Sequence, residues 1–139
     1  MTRYFPRVYL GLISTHIAIE ALLGILGWEH PLAEAISWLV WPLIVASGFC
    51  AGLANWPIPK ASLVALPFTF ISFGHGLLPF AFGWMEIPAT PAPVPQVLVF
   101  SGFLIAIGVL AVLGLLVAAL SAFGARMYLR TRGIRGSAA

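Results

Sequence analysis

Apolar residues in this chain do not alternate with polar ones; they fill four long runs. The runs extend from about Val8 to Gly27, Ala35 to Ala54, Ala61 to Trp84 and Gln96 to Ala125. As helices rising 1.5 Å per residue, all four are long enough to cross about 30 Å of hydrocarbon. The breaks between them are chemically distinct. Pro31 follows the first run, and "NWPIPK", Asn55 to Lys60, is a short turn between the second and third. "IPATPAPVPQ", Ile87 to Gln96, holds four prolines and predicts an extended segment without backbone hydrogen bonds. The expected fold is all-α: a single polytopic membrane domain built as a four-transmembrane-helix bundle.

Composition supports that solvent assignment. Of 139 residues, 61% are hydrophobic and 8% charged, against about 25% charged in a soluble domain. Mean hydropathy is +1.04. Charge position then orients the bundle. Arg3, Arg7, Lys60, Arg126, Arg130, Arg132 and Arg135 fall on one side of the spans, and Glu29, Glu34 and Glu86 on the other. Basic residues stay in the cytoplasm, so both termini are expected there, in the inner membrane of a prokaryote. The basic tail reads as a topology determinant, and nucleic acid is not an expected partner. The first run exceeds the roughly 7–15 apolar residues of a signal-peptide core and contains His16 and Glu20, so it reads as an uncleaved span.

Lipid is as apolar as leucine, so spans associate through small residues and polar contacts. Gly102, Ala106, Gly114, Ala118 and Ala122 lie on one i+4 stripe of the fourth span, interrupted by Leu110. Gly48 and Gly52 repeat the spacing in the second, and Ala18, Ala21, Gly24 and Gly27 form a stripe in the first. The third span carries Pro67 and Pro79, with Gly74 and Gly76 around His75, which predicts a bent helix.

Three ionisable side chains lie deep in the spans: His16, Glu20 and His75. An acidic group at mid-membrane costs about 3 kcal/mol, so it faces protein or water and has a partner. His16 and Glu20, at i and i+4, share a helix face. Measured between flanking charges, Glu20 and His75 both lie roughly 0.6 of the way outward, with His16 about 6 Å beneath. The expected cluster is therefore His75 beside Glu20, with His16 below.

Such a cluster suits an interhelical hydrogen bond, a proton site, or a histidine ligand to haem or chlorin. Two histidines and one glutamate make a sparse metal site, and Cys50, alone, reads as a small apolar residue. Walker, HExxH, GxSxG and CxxC patterns do not occur, so no catalytic activity of its own is expected. A glutamate in the first of four short helices is also a feature of small multidrug resistance exporters. This chain is longer, its fourth span is extended and its charge bias is strong, so it is not assigned to them. The leading expectation is a small subunit of a larger membrane complex, energy-transducing and touching haem, chlorin or quinone. The alternative is a proton-coupled transporter using Glu20 and acting as a homo-oligomer. Expected partners are membrane lipids and either other subunits or further copies of itself.

Overall fold

The computed structural model describes residues 3–27, 30–72 and 96–132. All regular elements among them are helical: α1 (Phe5–Leu26), α2 (Ala33–Leu53), α3 (Ile58–Ser72) and α4 (Gln96–Thr131). Three stretches, Phe5–Leu26, Ala33–Leu53 and Leu104–Thr131, are long and apolar enough to span a membrane. Only 11% of the most apolar window of Leu104–Thr131 is buried within the protein. Leu104, Ile105, Val109, Val112, Leu116 and Leu120 all stand more than half exposed, a surface that hydrocarbon solvates and water does not. The protein is an integral membrane protein. The third predicted span, about 61–84, is described only to residue 72, and its helix begins earlier, at Ile58.

Two prolines set the irregularities. Pro42 has no N–H to offer the Trp38 carbonyl four residues back, and Trp41 N donates there instead at 3.3 Å. The result is a turn at residues 38–39 that divides α2 into Ala33–Ser37 and Val40–Leu53. Pro67 does the same to Leu63, whose carbonyl accepts from Leu66 N within a 3₁₀ turn, Leu63–Ala65. The Tyr9 hydroxyl donates to the Val64 carbonyl in that turn at 3.0 Å, tying α1 to α3 at the irregular point.

The α2–α3 connection is equally specific. Asn55 adopts φ 61°, a left-handed conformation that asparagine tolerates better than most residues. Trp56 N donates to Ala51 O and Asn55 N to Gly52 O, the paired bonds of a Schellman ending, and Pro57 stops the helix. This turn points Trp56 back at the bundle, where Phe5 lies 4.5 Å from its ring and the Arg126 guanidinium donates to its carbonyl.

Packing follows from the missing side chains. A Cβ on Gly48 would sit 2.5 Å from the Ala118 carbonyl oxygen, and one on Gly52 would sit 2.5 Å from that of Ala122. The backbones of α2 and α4 therefore touch directly, and the matched i+4 steps make them run parallel. Ala118, Ala122 and Ala125 have no exposed surface. Gly114 continues the stripe against Ala65 and Thr69 of α3 and Ile44 of α2. Gly102 and Ala106, placed on the same contact stripe by sequence, are exposed, and a Cβ on Gly102 would meet nothing within 4 Å. Among the described residues the stripe therefore starts at Gly114. Ala18, Ala21 and Gly24 of α1 likewise face outward. That helix turns bulkier residues inward, including Phe5, His16, Glu20 and Leu23.

Gly48→Ala and Gly52→Ala should each cost about 1–3 kcal/mol through overpacking. Gly102→Ala, which adds its methyl to open space, should be neutral. Reversible unfolding in mixed micelles measures all three; equal effects would refute the direct backbone contact.

Candidate functional site

The polar cluster is assembled from two helices. On α1, the i, i+4 spacing stacks His16 and Glu20 on the face turned towards α3. On α3, Val64, Phe68 and Ser72 recur every four residues and address α1, while Ala65 and Thr69 address Gly114 of α4. Contacts advance in step along both chains: Tyr9 meets Val64 and Phe68, His16 meets Phe68 and Ser72, and Glu20 meets Ser72. Helices α1 and α3 thus run parallel, and Ser72 arrives between the two ionisable groups.

Its hydroxyl donates to Glu20 Oε1 at 2.7 Å and lies 3.0 Å from His16 Nε2. A hydroxyl has one hydrogen. With that hydrogen on the carboxylate, Nε2 must donate to Ser72 Oγ, which assigns His16 the Nε2–H tautomer from the network. The chain of donors is therefore His16 Nε2–H to Ser72 Oγ–H to Glu20 Oε1. The direct His16–Glu20 approach is longer, 3.4 Å. His16 has no exposed surface, its ring stands edge-on to Phe68 at 5.5 Å, and its Nδ1 has no hydrogen-bond partner among the described residues. Glu20 is 7% exposed.

What surface Glu20 keeps is turned to a cleft of ≈ 260 Å³. The cleft is framed by Ser72, Thr69 and Phe68 of α3, and by Trp38, Trp41 and Ile44 of α2. The Pro42 break matters here, because it turns the backbone at Trp38, on the cleft wall. The lining is mostly apolar, with a carboxyl and a few hydroxyls converging on it, the usual composition of a small-molecule site.

His75, expected beside Glu20, lies outside the described residues. Ser72 is the partner that sequence reasoning missed. On the same depth scale it falls between His16 and Glu20, but a survey confined to ionisable groups passes over a hydroxyl. His16 has no exposed surface, and its Nε2 is engaged by Ser72. Among the described residues, no three His, Cys, Asp or Glu side chains are close enough to share a metal ion. Cys50 is half-buried beside the apolar core. His30 accepts from Leu32 N at 3.2 Å and closes the turn after α1.

No family model, curated protein or solved structure matches this chain.

Ser72→Ala removes both hydroxyl contacts and should destabilise the protein by about 1–2 kcal/mol. Combined with Glu20→Gln, the loss should be less than additive, since both changes break the same bond. Thr15→Ala, whose hydroxyl bonds only the Gly11 carbonyl of its own helix, should have little effect. Strict additivity of the first two in a double-mutant unfolding cycle would show that the cluster is not a unit.

Proposed function

We propose that this protein is a four-span membrane protein in which Glu20 takes up and releases a proton in step with occupancy of the adjacent cleft, as in proton-coupled handling of a small molecule. The observation that carries this reading is the cleft itself. A polar bridge serving only to hold α1 to α3 would be packed on all sides, as His16 is. Glu20 instead lines a space large enough for a ligand while being held by Ser72. An ionised carboxyl beside that space and a protonated one present different charges to whatever enters. Differential affinity of this kind is what couples two binding events.

The serine gives the proton a path. A proton placed on His16 Nδ1 can be passed on as Nε2–H to Oγ and Oγ–H to Oε1, which leaves Glu20 protonated and His16 neutral in its Nδ1–H tautomer. Each hop covers a hydrogen-bond distance, 3.0 and then 2.7 Å.

The fourth span and the orientation belong to the same proposal. α3 runs into the apolar stretch after Ser72, which supplies the remaining length of a span by sequence. The start of α1, the α2–α3 turn and Arg126 of α4 meet at Trp56, which gathers basic residues from three elements at one end. The positive-inside rule makes that end cytoplasmic.

Infrared difference spectra between low and high pH, recorded in lipid, should show a protonated-carboxyl band that Glu20→Gln removes and Ser72→Ala shifts. Proteoliposomes under an imposed pH gradient should then lose it faster with an accepted solute than without one, and only with Glu20 present. A Soret or chlorin band in the natively purified protein would overturn the reading in favour of a cofactor-carrying subunit. Fixed-stoichiometry co-purification with other membrane proteins, without the carboxyl band, would overturn it in favour of a structural one.

A further inference from the structure

We infer that the cytoplasmic end of the bundle carries a specific site for the headgroup of an anionic phospholipid, centred on Trp56 and formed by Lys60 and Arg126. The Schellman ending of α2 fixes Trp56. Lys60 Nζ lies 4.7 Å above its ring, and the Arg126 guanidinium donates to its carbonyl. Two cations from different helices are thus drawn to one residue. Neither has an acidic partner among the described residues, and none of the chain's four acidic residues, Glu20, Glu29, Glu34 and Glu86, belongs in sequence to the segments that meet here.

Two cations gathered at one residue without a counter-charge favour an anion beside them. Arg126 is also partly buried, so its charge is poorly served by bulk water, and its Nε has no acceptor among the described residues. The surroundings identify the source of the anion. Trp56, Phe5, Tyr4 and Tyr128 are aromatic residues of this end, and Tyr4 and Tyr128 are 67% and 45% exposed. Aromatic rings of this kind mark headgroup depth. A phosphate at that depth, with acyl chains running down the exposed apolar surface of α4, fits both the charge and the lining. A soluble phosphate satisfies the charge alone.

This site is distinct from a general attraction of basic tails to acidic lipid. Arg130 and Arg132 are exposed, and Arg132 stacks on the ring of Tyr128, not on Trp56 as Lys60 does. A diffuse attraction weights every cation similarly, whereas a built site weights Lys60.

The test uses the full-length protein in nanodiscs of phosphatidylcholine alone or with added phosphatidylglycerol. It reads apparent Tm, together with retention of phosphatidylglycerol by native mass spectrometry. Wild type should gain Tm with phosphatidylglycerol. Lys60→Gln, an exposed side chain whose loss spares the fold, should keep its Tm in phosphatidylcholine and lose most of that gain. Its affinity for phosphatidylglycerol should fall about fivefold, the weight of one basic residue at a membrane surface. Arg132→Gln should retain the gain with less than a twofold change. Equal losses in the two variants, no gain in wild type, or the same gain from inorganic phosphate in phosphatidylcholine discs would each overturn the proposal.

Discussion

A carboxyl and an imidazole on the inward face of an apolar, membrane-spanning helix must find their hydrogen bonds within the protein, because hydrocarbon offers none. Much of the arrangement around α1 and α3 follows from that requirement. His16 and Glu20 sit four residues apart and need one donor–acceptor between them, and Ser72 supplies it only if α1 and α3 run parallel and in register. The register is set further down by Tyr9, whose hydroxyl bonds the Val64 carbonyl in the turn that Pro67 tightens. Backbone irregularity and polar cluster are thus connected along a single helix pair.

On the other side of the bundle the constraint is steric. Hydrophobic burial does not drive helices together in lipid, so close backbone approach has to supply the attraction through dispersion. Gly48 and Gly52 permit that approach against Ala118 and Ala122, and their contact holds α2 and α4 as a second parallel pair. The cleft lies between the two pairs, lined by Glu20 of α1, Trp38 and Ile44 of α2, Thr69 of α3 and Leu110 of α4. Its wall on α2 is turned by Pro42, so one missing N–H shapes the space beside Glu20.

Much of this was legible from residue order. Long apolar runs identify membrane helices because few other environments tolerate them, and the i, i+4 spacing of His16 and Glu20 could be read directly. The GxxxG spacing at Gly48 pointed to a face that the structure sets against α4. Other features were hidden for physical reasons. A proline perturbs residues before it, so Pro42 reads as ordinary helix sequence while the break falls at Trp38. A hydroxyl carries no charge, so Ser72 stands out only once α3 is placed against α1. Small residues mark where contact is sterically allowed and not where it occurs, which is why Gly102, Ala106 and Ala21 are exposed while Gly114 is enclosed.

The serine relay makes a demand on one nitrogen that can be measured without knowing any ligand. In a variant carrying His30→Gln and His75→Gln, His16 is the remaining histidine, and its ring can be observed by nitrogen-15 solid-state NMR in bilayers. With Glu20 ionised, the account predicts a neutral ring protonated at Nε2, whose resonance moves when Ser72 is changed to alanine. In that same state, a ring protonated at Nδ1 with Nε2 bare, or a spectrum indifferent to Ser72, would contradict it.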